Sequence, residues 1–363
     1  MTENSSVFGL RHQARCLSSV THNTEQSQFL TGSIGAKDNI VCLLEYNEDE
    51  MVTTSTPFAH PEEVWDIASC PANPDLFFTC HSPVSGNPRE KKATLWQKPT
   101  ETTPSTDTAF HLTSLCTMDF AGIQKILWDK QSTDKVIAME NNQIQLGQLA
   151  EATYQHSTTL DASPWLHPST TCLSQLRDAV WNPHQAEVIA VGGQALLGWD
   201  LRSGKSSICQ PKAHQSTVRA VDINPNRPYH IVTGGDDALA HLWDIRQLDQ
   251  PLMTIEGHSH WIWSVAFNPL QDQLLLTSSS DTLVNLHNVV SLSSATYDDN
   301  QEEEQELDKP SDGLVCTFDQ HEDSVYQVAW SSADVWTFAS VSYAGRIVIN
   351  QVPQQEKFKI LGL

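Results

Sequence analysis

The sequence predicts an all-β protein, a seven-bladed propeller of small antiparallel sheets, and three observations carry that expectation. The first is composition. Of 363 residues, 39% are hydrophobic and 18% charged, both below the usual globular averages, and Ser, Thr, Asn and Gln supply much of the rest. Such a mixture is poor in long-helix formers and suits many short strands. The second is a repeat of fixed period. Alternating apolar runs end in LLGWDLR (196–202), LAHLWDIR (239–246) and LVNLHNV (283–289), so Trp199, Trp243 and His287 stand 44 residues apart in both steps. The third is a landmark upstream of such runs. AHQSTVRAVDINP (213–225), GHSHWIWSVAFNP (257–269) and QHEDSVYQVAWSS (320–332) each place a His ahead of aliphatics at +4 and +7 and a large apolar residue at +9.

The units follow in order, with marker positions at Leu44, Trp96, Gly147, Trp199, Trp243, His287 and Asn350. Units one to three are read mainly from strand alternation, although His60, Val64 and Ile67 repeat the landmark at the start of unit two. Unit four has Cys172 in place of the His and Gly193 at the turn. Unit five is complete, with His214, Thr233, Asp237 and Trp243. Unit six has His258, Thr277 and Asp281, but His287 replaces the Trp. Unit seven has His321, with Ala344 at the turn. Units five and six share a His-to-turn spacing of 23 and a turn-to-marker spacing of six, far more specific than one stray Trp-Asp pair. A period of 44 with these dipeptides resembles the WD40 repeat, in which each unit supplies four strands of one blade. In that repeat the loop His bonds the turn Asp, and a strand Thr and the indole join them. This network fixes one register and leaves no buried donor unpaired. The first strand, around 7–10, is expected to complete the last blade and close the ring without an open edge.

Three segments break the rhythm. Residues 291–313 carry seven acids between Asp298 and Asp308 and read as a disordered, solvated insertion between blades six and seven. HSPVSGNPREKK (81–92) reads as a hairpin loop inside blade two, and KPTETTPSTDT (98–108) as a linker between blades two and three. None has the character of a domain boundary, so one propeller domain is expected over 1–363.

Composition also excludes whole classes of partner. Lys plus Arg is 21 and Asp plus Glu is 44, a formal charge of −23, which disfavours nucleic acid and acidic membrane surfaces. No apolar run approaches a membrane span. The N-terminus, MTENSSVFGL, is polar where a signal peptide would be basic and then apolar. The eight cysteines show no metal-ligand or disulfide spacing, which points to a reducing, cytoplasmic compartment. His258-x-His260 lacks the three or four convergent ligands of a zinc site. No phosphate loop or catalytic set stands apart from the repeat residues, so no cofactor and no enzymatic activity are expected.

Surface recognition remains. In WD40 propellers the residues at +3 and +5 from the loop His point to the narrow rim beside the channel. At +5 stand Trp65, Gln124, Arg177, Arg219, Trp263 and Tyr326, and at +3 Glu63, Gln175, Thr217, Trp261 and Ser324. Aromatics flanked by Arg have the composition of an interface hot spot. Trp65, Arg177, Arg219, Trp261, Trp263 and Tyr326 are therefore the expected partner-binding residues.

The segments GHSHWIWSVAFNPLQDQLLLTSSSD (257–281), DSVYQVAWSSADVWTFASVSYAGRIVINQVP (323–353) and LRDAVWNPH (176–184) resemble the EARP- and GARP-complex-interacting family. The likeness extends to the polar start ending in FGL, the acidic insertion and the KFKILGL tail. Ala344 at the last turn and Gly147-Gln148 in place of Trp-Asp depart from the repeat. The resemblance implies a WD40 adaptor of multisubunit vesicle tethers, peripheral at the trans-Golgi network and endosomes. It implies a part in endosomal recycling and retrograde transport. A different class competes: WDLR (199–202) and WDIR (243–246) resemble the WDxR box of cullin-RING substrate receptors, in which Arg202 and Arg246 would contact the ligase adaptor.

Overall fold

The computed structural model describes residues 5–85, 87, 90–99, 109–118, 120, 122–130, 132, 134–150, 153–166, 174–295 and 310–362. It is a seven-bladed β-propeller. The inner strands, in blade order, are Gln13–Ser19, Glu63–Ser69, Lys125–Trp128, Leu176–Trp181, Val218–Ile223, Ile262–Phe267 and Val325–Trp330. Each pairs with the next strand in sequence, and the blade grows outward by antiparallel addition. Apart from a short parallel edge strand on blade one, the exception is blade seven. Its outer strand is Ser5–Gly9, paired with Arg346–Gln351 through Val7 opposite Val348. The two ends of the chain thus share one sheet and close the ring.

Alternation explains where the core sits. The second strands Ser27–Ile34, Glu187–Gly192, Leu274–Ser279 and Thr337–Ser342 are buried along their whole length, because both faces meet neighbouring blades. Among the described residues the apolar interior is divided into seven clusters, one for each pair of adjacent blades. The closing cluster joins blades seven and one through Phe29, Leu44, Val341 and Ile347. Outer strands such as Thr153–Asp161 are largely exposed.

Two segments take places different from those the sequence suggested. Residues 291–313 were expected between blades six and seven. They instead join Val284–Asn288 to Gly313–Phe318, the third and outer strands of blade six. Residues 98–108 lie inside blade two, between Lys92–Gln97 and its outer strand Thr113–Met118, with Phe110–His111 adding a short parallel strand to blade one. In both cases the outer strand alternates too weakly to be recognised before the structure is seen. The acidic run 298–308 and residues 100–108 lie outside the described residues. The base of the insertion is anchored: Arg227 donates to the Ser293 carbonyl at 2.8 and 3.0 Å, and Asp272 accepts from Ser294 N–H and O–H at 2.8 Å. The tail forms a helix, Gln354–Leu361, tied to blade six where Asn288 donates to Glu356 at 2.8 Å.

Candidate interaction surface

The start of each inner strand decides which side chains reach the channel mouth. In six blades the pairing of the inner strand with its neighbour slips at one residue, and those residues are Arg15, Trp65, Arg177, Arg219, Trp263 and Tyr326. Each is a β-bulge, an extra residue left out of the ladder whose side chain is re-aimed. Five of the six expected partner-binding residues are these bulge residues. Trp261 is the sixth and precedes its strand. Arg15 escaped the sequence reading because blade one has no loop His from which to count; Leu10 stands there. Its signal was the register of Arg15-Cys16-Leu17 against Trp65-Asp66-Ile67.

Together these side chains form an alternating belt of rings and cations. Trp263 lies 6.1 Å from Trp261 and 4.4 Å from Tyr326, and Tyr326 lies 5.8 Å from Tyr343, centroid to centroid. The Arg219 guanidinium sits 4.0 Å above the Trp263 centroid and 4.6 Å above that of Trp261. Arg15 stands 4.6 Å from Tyr326, 4.9 Å from Tyr343 and 5.2 Å from Trp65. Lys91, from the 81–92 loop, lies 4.4 Å from Trp65. Such stacking holds rings and cations in fixed orientations. Trp65 and Trp263 are half-buried, and each donates its indole N–H to a serine, Ser82 at 2.7 Å and Ser280 at 2.6 Å. Trp261 is 40% exposed.

Below the belt, the channel-facing edges of the inner strands are stitched together. Gln327 accepts from Leu17 N–H at 3.0 Å, Asp178 from Val221 N–H at 3.0 Å, and Asp222 from Phe267 N–H at 2.8 Å. Asp66 accepts from Ile126 N–H and Ser264 from Val328 N–H, both at 3.4 Å. These side chains satisfy strand-edge donors that no other strand pairs with. Burial pushes the Asp66 and Asp222 carboxyls up to about 6. Arg177 is pulled down to about 10 by burial and by the charge of Arg219.

The repeat residues build hydrogen-bond chains inside the blades. In blade five, Trp243 Nε1 donates to Thr233 Oγ1 at 2.9 Å, His214 Nε2 lies 2.8 Å from the same hydroxyl, and His214 Nδ1 lies 2.9 Å from Asp237. Blade six repeats this with His258, Thr277 and Asp281, and His287 Nε2 stands 3.2 Å from Thr277 Oγ1 where the indole would be. In blade seven His321 Nε2 lies 2.7 Å from Ser340 Oγ, while Nδ1, opposite a turn that has Ala344 for Asp, has no hydrogen-bond partner among the described residues. Blade two carries a chain that sequence reading missed. Trp96 donates to Thr79 Oγ1 at 2.8 Å, His60 Nε2 lies 3.1 Å from that oxygen, and the Glu62 carbonyl takes the place of the turn Asp at 2.8 Å from His60 Nδ1. The step from His60 to Thr79 is the usual 19, but the 81–92 loop lengthens the next one from 10 to 17. In blade three Gly147 has a local reason: a Cβ there would stand 2.4 Å from the Tyr154 ring. Cys172 lies outside the described residues.

His214, Asp237 and His241 bring ligand-type atoms within 4.8 Å of one another. Both His214 nitrogens are already engaged by Asp237 and Thr233, so the trio serves the blade. Arg202 and Arg246 follow third strands, at the face opposite the rim, because third strands end where inner strands end. Both are exposed. The Arg246 guanidinium is held by Asp244 at 2.6 and 2.9 Å and stacks 4.2 Å from Tyr229. No helix among the described residues is long and apolar enough to cross a membrane.

Comparison with known proteins follows this architecture. The EIPR1 β-propeller model matches residues 2–287, and the WD domain, G-beta repeat, matches residues 313–349. The chain is 34% identical to EARP and GARP complex-interacting protein 1 of Homo sapiens, over 98% of both chains. It is 35% identical to the EARP-interacting protein homolog of Dictyostelium discoideum, over 97% of this chain and 96% of that one. The WD repeat-containing protein DWA2 of Arabidopsis thaliana is 31% identical over 95% of both. A family model spanning most of the propeller, and relatives aligned along nearly all of it, place this chain in the EIPR1 β-propeller family.

Proposed function

We propose that this chain is a non-enzymatic adaptor that binds EARP- and GARP-type tethering complexes, and that the aromatic rim is its docking surface. The observation that carries this reading is the near-complete alignment with relatives whose names state that interaction. The rim supports it physically. Large rings bring buried area with few rotors to immobilise, and ring stacking has already fixed most of them. The adaptor acts from the cytoplasmic side, peripherally at the trans-Golgi network and endosomes, in endosomal recycling and endosome-to-Golgi retrograde transport. Affinity purification of the tagged chain, followed by mass spectrometry, tests the assignment. Tether subunits should be recovered with the wild type and depleted with a folded Trp261→Ala/Tyr326→Ala variant. Recovery of no tether subunit would overturn the adaptor reading, and full recovery with the variant would move docking away from the rim.

A further inference from the structure

The channel mouth is charged against the character of the whole molecule. In a chain of net charge −23, one cavity of about 380 Å³ is lined by five cations, Arg15, Lys91, Lys125, Arg177 and Arg219, against three carboxylates, Asp66, Asp178 and Asp222, each of which accepts a strand-edge N–H. Two of the cations are neutralised locally. Lys125 pairs with Asp178 at 2.5 Å, and Arg219 is held on two nitrogens by Asp236. The other three make no direct ion pair among the described residues, although Asp66 acts on Lys91 and Asp236 on Arg177 from farther away, and the Nε atoms of Arg15 and Arg177 are buried without a hydrogen-bond acceptor there. Clustered, partly desolvated cations raise the free energy of the folded chain. Burial lowers the pKa of Lys91, and Arg15 and Arg177 add to that effect against the opposing pull of Cys80 and Asp66.

The distribution of these groups describes an occupant. The five cations come from blades one to five, with Trp65 of blade two among them, whereas Trp263 and Tyr326 line the side of blades six and seven, and Tyr343 stands 5.8 Å from Tyr326. The side of blades one to four offers N–H donors to carboxylates, and the opposite side offers the ring surface that Arg15 and Arg219 leave uncovered to an apolar side chain. A compact polyphosphate would use the first wall and leave the second empty. We infer that the channel mouth receives an acidic peptide segment of a partner protein, carboxylates against Arg15, Lys91 and Arg177 and an apolar side chain against the Trp263–Tyr326–Tyr343 wall. This rests on the rim being the docking surface and names the chemistry it selects.

The test measures fluorescence polarisation of a short labelled peptide rich in Glu and Asp around a single Leu. Three comparison probes are the same peptide with Gln and Asn for the acids, the acidic peptide with Ser for Leu, and inositol hexakisphosphate. The acidic peptide should bind, weaken as salt is raised, and lose at least about tenfold in affinity in Arg15→Gln/Lys91→Gln/Arg177→Gln, whose melting temperature should equal or exceed the wild type. Lys91→Gln alone, in a loop, should show a smaller loss and keeps the test valid if the triple variant does not fold. Equal binding of the Gln/Asn peptide, or unchanged affinity in the folded variants, would overturn the inference. So would binding of inositol hexakisphosphate with none of the acidic peptide. Peptide binding reads the mouth with an isolated probe and the cation variants, whereas tether recovery with Trp261→Ala/Tyr326→Ala reads capture of the whole complex by the rim, so either can fail without the other.

Discussion

Arg219 lies over Trp263, its guanidinium carbon 4.0 Å from the ring centroid, while Asp236 accepts from two nitrogens of the same guanidinium. The carboxylate fixes the cation, the cation fixes the ring, and the bulge at Arg219 sets where both project. The rim is therefore a preorganised surface, with little side-chain entropy left to lose on binding.

This stacking separates a binding defect from a folding defect. Trp263→Ala removes a half-buried ring that holds Arg219 and bonds Ser280, so it should lower both melting temperature and partner capture. Trp261, 40% exposed, is the cleaner probe. Trp261→Ala should leave the melting temperature within about 2 °C of wild type and weaken tether capture by about 2 kcal/mol if it is a hot spot. An unchanged dissociation constant in a titration with purified complex would remove Trp261 from the interface.

The hydrogen-bond chains of blades two and five predict matching costs. Asp237→Ala leaves His214 Nδ1 without its acceptor and should destabilise by about 1–3 kcal/mol. Thr79→Val removes the hydroxyl that accepts from Trp96 and meets His60, and should cost about as much. Urea unfolding reads both. A Thr79→Val midpoint equal to wild type would show that blade two gains nothing from its chain.

Blade seven predicts a gain. His321 is buried, and burial together with Arg346 pulls its pKa down to about 4. Ala344→Asp should supply the missing acceptor and stabilise by about 1 kcal/mol at neutral pH. A melting temperature below wild type would show that the turn has no room for the carboxylate.

The same shifts predict an acid limb. His60, His241, His287 and His321 all fall to about 4 in the folded chain, chiefly through burial. Their folded pKa lies below the unfolded value near 6.5, so the unfolded chain takes up protons first. The stability they support is complete above about pH 6.5 and is lost progressively toward pH 4. Asp66 and Asp222, raised to about 6, work in the opposite sense, because the folded chain binds their protons earlier. Four histidines against two carboxyls should leave a net fall in melting temperature between pH 7 and 5, smaller in Ala344→Asp. A flat profile across that range would contradict the buried neutral histidines.

For the insertion, the anchors mark where a deletion becomes harmful. Excising 296–309 retains the contacts of Arg227 with Ser293 and of Asp272 with Ser294. It should change the melting temperature little, since loop closure depends only weakly on length. Extending the deletion through 293–294 should cost about 1 kcal/mol or more. Calorimetry on the two deletions separates the cases, and a large loss from the shorter one would show that the acidic run itself supports blade six.

The sequence by itself determined the period of 44, the seven units, the His–Thr–Asp–Trp positions of blade five and the +5 rim residues, because each is written in local spacing. Strand alternation and polar satisfaction act over one blade, and one blade is short enough to read along the chain. Only the tertiary structure decided what depends on closure of the ring. It showed that the rim residues project through bulges, since a bulge is a mismatch between two strands and has no signature in either one alone. It brought Arg15 and Lys91 to the mouth, one from a blade without a loop His and the other from an irregular loop. It also assigned the outer strands Thr113–Met118 and Gly313–Phe318 to their own blades across long connections. Both strands are half exposed, so their partners were chosen by the edge left unpaired in the folded blade, which no hydrophobic pattern records.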